Sequence, residues 1–351
     1  MREIPPWSRF PKFLSMSDAA RIAWRMAVAI ALTLFCFFLL HIPNSFRALN
    51  TAAMLCSIPV FHGGLMKQRM ILIWISGLMG MAIDSMFREA PWLYLCAYMV
   101  LIYTTMHLAS RSRDAATMMI LVFGYSGSVP TSDLIGADPV VAGFQRTLGV
   151  SLGVIIAIVA FQIFPVKKTR LFGRSNPVNF DRRNLLFLAV AGAALLCTGA
   201  AMAKEYGTFV VMLGLAWAMG LPTQSWAVNR LQLAGLALGT CVALAELTIF
   251  SASSNNLAVY IAMISTVVGI AAYLGNRIPK LKPAQGLFII GSLLPNTTLF
   301  RPLPNVTALF PMLAAMWLGI LVSSIIFLVF RATAAVELAL LERVRFRLGN
   351  T

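Results

Sequence analysis

The chain has 351 residues, of which 59% are hydrophobic and 11% charged, with a mean hydropathy of +0.82. Soluble domains carry about 25% charged residues, so this composition cannot assemble a water-facing surface and excludes a soluble enzyme or a disordered protein. The 28 Lys and Arg against 12 Asp and Glu give +16, which in a soluble chain would suggest nucleic acid, but in a membrane protein has first to be sorted by side.

A spanning helix needs about 20 apolar residues, and twelve apolar runs can be marked. The first six are Ala23 to Leu40, Ala48 to Phe61, Met70 to Phe87, Trp92 to Leu108, Ala115 to Val129 and Thr147 to Phe164. The second six are Leu185 to Ala203, Gly207 to Leu221, Leu231 to Phe250, Leu257 to Leu274, Ala284 to Leu294 and Val306 to Phe330. The expectation is an all-α polytopic membrane protein of about twelve transmembrane helices. The first run is preceded by basic residues like a signal peptide, but it is long and lacks a small-residue cleavage signature. It is expected to be a retained first helix.

Lys and Arg are held on the cytoplasmic side during insertion. With the N-terminus inside, 23 of the 28 basic residues fall in cytoplasmic segments, including Arg21, Arg25, Lys67, Arg69, Arg111, Arg113, Arg230 and the run from Lys167 to Arg183. The outside keeps Arg47, Arg88, Arg146, Lys204 and Arg301. Acidic residues divide six and six, so the inside carries +17 and the outside −1. Both termini are therefore expected in the cytoplasm.

Loop chemistry repeats after about 165 residues. Lys67 and Arg69 open the third run as Arg230 opens the ninth; Arg111 and Arg113 precede the fifth as Lys280 and Lys282 precede the eleventh; Pro139 stands before the sixth as Pro304 stands before the twelfth. Six crossings return the chain to one side, so two six-helix repeats would be parallel, related by an axis along the membrane normal. The expected organisation is a cytoplasmic N-terminal segment 1–22, a first six-helix unit 23–165, a basic cytoplasmic linker 166–183, a second unit 184–330 and a cytoplasmic tail 331–351.

The second, fifth, eighth and eleventh runs are short and carry prolines within or just after them: Pro59, Pro130, Pro222 and Pro295. Short, interrupted helices at corresponding positions of two halves point to a transporter's binding site, because half-helices turn backbone groups and dipole ends toward a substrate. Plain kinks shielded by longer neighbours are the alternative. The spacings Gly149xxxGly153 and Gly235xxxGly239 permit close helix contact. Cys36, Cys56, Cys96, Cys197 and Cys241 stand singly in apolar runs, expected as packing residues, and no metal-ligand spacing occurs.

Ionisable residues at membrane depth are costly and are functional candidates by default. Glu246 is the most isolated acid; it either exchanges a proton or lies at the outer interface. Arg47, Arg146 and Arg301 lie beside the short runs on the side that has few cations. Guanidinium suits bidentate carboxylate recognition, so they are candidates for binding an anionic substrate, with snorkelling to headgroups the alternative. The cytoplasmic cations are accounted for by topology. No Walker sequence is present, and no nucleophile, base and orienting group can be assembled by spacing, so an enzyme is not expected.

The opening "RIAWRMAVAIALTL", the Arg-led "NRLQLAGLALGTCVAL" and "AGFQRTLGVSLGVIIAIVAFQIFP", in which Arg146 leads a Gly-containing helix closing on Pro165, resemble the fusaric-acid-resistance-like superfamily of aromatic acid exporters, in a short form without soluble cytoplasmic domains. The resemblance implies six-helix units in a bacterial inner membrane, export of aromatic or other organic anions driven by the proton gradient, no cofactor, and a periplasmic adaptor of the membrane-fusion type as partner. Self-association is left open, and nucleic acid is not an expected partner. The rival readings are a passive organic-anion channel and a non-transporting membrane subunit whose basic face anchors a partner or anionic lipid.

Overall fold

In an apolar medium every backbone N–H and C=O has to be paired within its own segment or a closed sheet, and runs of Leu, Ala, Ile, Val and Met satisfy this as helix. The computed structural model describes residues 16–40, 45–57, 63–87, 89–111, 139–166, 180–202, 206–252, 256–296 and 309–348. Among these, eleven α-helices occur and no strand. They are α1 (Asp18–Leu40), α2 (Ser45–Cys56), α3 (Gly63–Phe87), α4 (Pro91–Arg111), α5 (Pro139–Ile163) and α6 (Arg182–Ala201). After these come α7 (Gly207–Gly220), α8 (Trp226–Ala252), α9 (Leu257–Arg277), a 3-10 turn (Pro279–Leu281), α10 (Lys282–Asn296) and α11 (Leu309–Leu348). The fifth apolar run, Ala115 to Val129, lies outside the described residues, as does most of the expected linker.

Among the described residues, six helical segments are long and apolar enough to cross a membrane: Asp18–Leu39, Met70–Phe87, Arg182–Ala201, Trp226–Phe250, Leu257–Arg277 and Leu313–Glu337. Large apolar side chains such as Phe35, Phe38, Leu238, Ile270 and Leu328 point outward from them, which suits hydrocarbon and not water. Three helices are short, α2 with 12 residues, α7 with 14 and α10 with 15, against the roughly 20 needed to span. Pro222 sits in the turn after α7, and Pro295 in the last turn of α10. Pro59 and Pro130 lie outside the described residues.

Helix ends depart from the expected boundaries where good helix formers continue the pattern. At the far end, α11 runs 40 residues to Leu348, beyond Phe330 and through most of the expected tail. Its Ala, Glu and Leu residues favour helix, and no glycine follows until Gly349. Cys56 is buried, but Cys96, Cys197 and Cys241 face outward, correcting the expectation that all five cysteines pack inside. A small apolar side chain costs nothing against lipid.

The chain packs as two compact units, and each draws on both halves of the sequence. The first comprises Met1–Gly77, Val141–Ser175 and Ser225–Phe310, and the second Leu78–Val140, Asn176–Gln224 and Pro311–Thr351. In the first unit α1 packs on α2 and on α9, α8 packs along α10, and the short helices α2 and α10 touch. In the second, α6 packs on α7 and on α4.

Some contacts of the first unit have counterparts in the second, each member some 162 to 166 positions further along. A Cβ on Gly153 of α5 would strike the Ala48 carbonyl of α2, and a Cβ on Gly319 of α11 would strike the Val210 carbonyl of α7. Arg21 at the start of α1 donates from Nη1 to the Pro165 carbonyl at 3.2 Å, and Arg183 at the start of α6 donates from Nη2 to the Phe330 carbonyl at 3.4 Å. These glycines let two backbones approach to a distance that any side chain would prevent.

Candidate functional site

In the first unit, α1 buries one stripe: Ile22, Met26, Ala29, Ile30, Thr33, Leu34 and Phe37, at three- and four-residue steps. Arg21 and Arg25 fall on this same face, since residues four apart lie one above the other. Arg25 is 0% exposed. Its Nε–H donates to the Cys56 carbonyl at 3.0 Å, on the last residue of α2. Its guanidinium lies 4.0 Å from the centre of the Phe161 ring of α5. A full cation thus meets two things that favour it: the partial negative charge where α2 leaves its last carbonyls without helical partners, and the negative face of an aromatic ring.

The corresponding place in the second unit is apolar. Phe187 of α6, one turn after Arg183, is 1% exposed. It meets the rings of Phe327 and Phe330 edge-on at 5.3 Å and 5.8 Å.

A second buried polar group lies further along the first unit. Gly235, Gly239 and Gly291 make a seam in which a Cβ would strike the backbones of Ala284, Phe288 and Leu236 respectively. Pairing 235 with 284 and 239 with 288 means that α8 and α10 run parallel. Ala243 and Glu246 continue this face of α8, and the same register sets Glu246 level with the last turn of α10. Glu246 is 2% exposed, its carboxylate enclosed by the protein. Tyr260 of α9, 1% exposed, lies within electrostatic reach of the Glu246 carboxylate and against the Phe250 ring at 4.7 Å.

Gly269 of α9 faces Ala23 and Ala27 of α1, which sets it level with Arg25. Tyr260 lies nine residues away along α9, roughly 14 Å at 1.5 Å per residue. The first unit therefore buries a cation and a carboxylate with its phenol neighbour at two levels along the helix axes.

Of the arginines expected to bind substrate, Arg47 and Arg146 belong to α2 and α5, with side chains outside the described residues, and Arg301 lies outside them altogether. Arg25 was not among the candidates, because a count of cations by side explains every cytoplasmic arginine alike. The available signal was its place inside the apolar run Ala23 to Leu40, four residues after Arg21.

No protein-family model matches this chain, and no curated protein or solved structure matches it.

Proposed function

We propose that this protein is a twelve-span bacterial inner-membrane exporter of organic anions, aromatic carboxylates foremost, of the fusaric-acid-resistance-like kind and driven by the proton gradient. The observation that carries the proposal is the burial of an arginine and a glutamate in one apolar unit in which the short helices α2 and α10 meet. Buried charges are expensive unless used or fully compensated, and short helices are where transporters build their sites. The paired contacts of the two units, offset by 162 to 166 positions, support an internal duplication with parallel repeats. The basic bias supports cytoplasmic termini.

In this reading Arg47, Arg146 and Arg301 draw the carboxylate on the outer side, and Glu246 with Tyr260 carries the coupled proton. A periplasmic adaptor would receive the product. The test is flux of 4-hydroxybenzoate in proteoliposomes under an imposed pH gradient. Wild type is expected to transport, Arg146→Gln to lose most of the rate, and Glu246→Gln to lose its response to the pH gradient. Wild-type current that follows voltage and ignores the pH gradient would replace the exporter by a passive channel. Absence of flux under any gradient would overturn transport.

A further inference from the structure

We infer that Arg230, Arg277 and Lys280, beside Trp226, form a binding site for the headgroup of an anionic lipid at one end of the first unit, whatever the chain transports. Three helix ends supply it. The first turn of α8 brings Trp226 and Arg230, the last turns of α9 bring Tyr273 and Arg277, and the 3-10 turn brings Lys280, with Lys282 opening α10 just after it. The seam that pairs Gly235 with Ala284 and Gly239 with Phe288, followed back along both helices, sets Arg230 level with the 3-10 turn. Ile278 and that turn are all that joins α9 to α10, which keeps Arg277 within about 10 Å of Lys282 at about 2.0 Å per residue. Trp226 opens and Arg277 closes segments long and apolar enough to cross a membrane, so the cluster stands where hydrocarbon gives way to headgroups.

All four cations are exposed. Insertion accounts for basic residues on this side, but it neither seats them on rings nor leaves them without counter-charge. The Arg230 guanidinium lies 5.4 Å from the centre of the Trp226 ring, and that of Arg277 lies 5.6 Å from the Tyr273 ring, whose hydroxyl it also meets. A guanidinium resting on a ring has its plane restrained, and its edge of N–H donors suits a phosphate. Among the described residues none of Arg230, Arg277 and Lys280 is paired with a carboxylate, whereas Arg183 in the second unit is bridged to Glu337. Between Tyr206 and Val336 the sequence holds one acid, Glu246, which lies roughly 24 Å along α8 from Arg230 at 1.5 Å per residue. The packing of Ala23 and Ala27 on Gly269 brings Asp18 of α1 toward this level, and the cluster stays net positive. Its flank decides the source of the phosphate. Trp226 is 61% exposed, and Ile278 and Leu281 stand out beside the cations. A free phosphate would leave these apolar groups in water, whereas the glycerol and acyl chains of a lipid would cover them. Tryptophan favours this depth, and basic clusters between helix ends bind anionic headgroups.

The test titrates phosphatidylglycerol into the full chain in detergent and reads the unfolding temperature, with phosphatidylcholine of the same acyl chains and glycerol 3-phosphate as comparison probes. Wild type is expected to be stabilised saturably by phosphatidylglycerol and by neither of the others at the same concentration. Arg230→Gln, Arg277→Gln and Lys280→Gln combined should raise the half-saturating phosphatidylglycerol by about ten-fold or more and leave the unfolding temperature in phosphatidylcholine unchanged. The same change at three exposed cations elsewhere, Lys67→Gln, Arg182→Gln and Arg331→Gln, should leave half-saturation as in wild type. Equal losses in the two triple variants, or a wild type that responds alike to phosphatidylglycerol and phosphatidylcholine, overturn the inference, since a general attraction to a basic surface would then suffice. An equal response to glycerol 3-phosphate overturns the lipid as occupant. Lys280→Gln alone, at an exposed position, should raise half-saturation about five-fold; an unchanged value overturns the inference even if the triple variant fails to fold.

Discussion

At the start of α1, Arg21 reaches the Pro165 carbonyl and Arg25, a turn later, lies buried between Phe161 and the end of α2; at the start of α6, Arg183 reaches the Phe330 carbonyl and Phe187, a turn later, lies among aromatic rings. The first arginine of each pair serves the fold in both places, tying the start of one helix to a later one. The difference between the tied helices follows from one residue type. Proline lacks the N–H that continues a helix, and α5 ends at Ile163, just before Pro165. Beyond Pro311 in its first turn α11 has no proline and continues past Phe330, so Arg183 also meets Thr333 and Glu337 one and two turns on. The second position is where the units part. There the first unit encloses a cation bonded to the end of α2, and the second encloses a cluster of aromatic rings.

The largest expected effect comes from forcing the cation into the apolar counterpart. Phe187→Arg would set a charge against the rings of Phe327 and Phe330 at a buried position, and should destabilise the protein by about 3–5 kcal/mol, the scale of an uncompensated buried charge. Thermal unfolding in detergent would measure it. An unfolding temperature equal to wild type would mean that both places accept a cation, and the contrast would carry no information.

Intermediate effects are expected where the two units are alike. Gly153→Ala and Gly319→Ala each push a methyl group into a partner carbonyl, and each should cost about 1–3 kcal/mol, the range for overpacking. The same unfolding measurement should give similar losses for both. A large loss for one with none for the other would break the correspondence between α2 with α5 and α7 with α11. The smallest effect is expected at Glu337. Its bridge to Arg183 spans 3.1 Å between side chains 37% and 70% exposed, so Glu337→Gln should cost no more than about 0.5 kcal/mol. A larger loss would mean that the second unit depends on its arginine far more than exposure allows.

Much of the helical layout was legible in the residues. Apolar runs mark segments that must pair their own backbone groups, and their lengths separate long helices from α2, α7 and α10. Proline in or just after a short run, as at Pro222 and Pro295, was readable because its chemistry is local. The spacing Gly235xxxGly239 announced a close contact, but which helix would fill it was not written there. Only the packed chain pairs it with Ala284 and Phe288. The units were not legible either. Loop charges say nothing of which helices meet, whereas side-chain complementarity sets α1 against α9 and α4 against α6.

The candidate site divides in the same way. Glu246 stood out because acids are scarce in apolar sequence, and its burial follows from lying on the glycine face of α8. Arg25 did not stand out. By sequence it is one cation among many near the N-terminus; its meaning depends on Cys56, 31 residues later, and on Phe161, far beyond that. By itself, then, the sequence determined an all-helical, apolar chain, its short helices and its charge bias, since hydropathy, helix formation and topogenic charge sum over neighbouring residues. Only the tertiary structure decided which helices face each other and which charge is enclosed, because burial depends on surfaces brought together from distant parts of the chain.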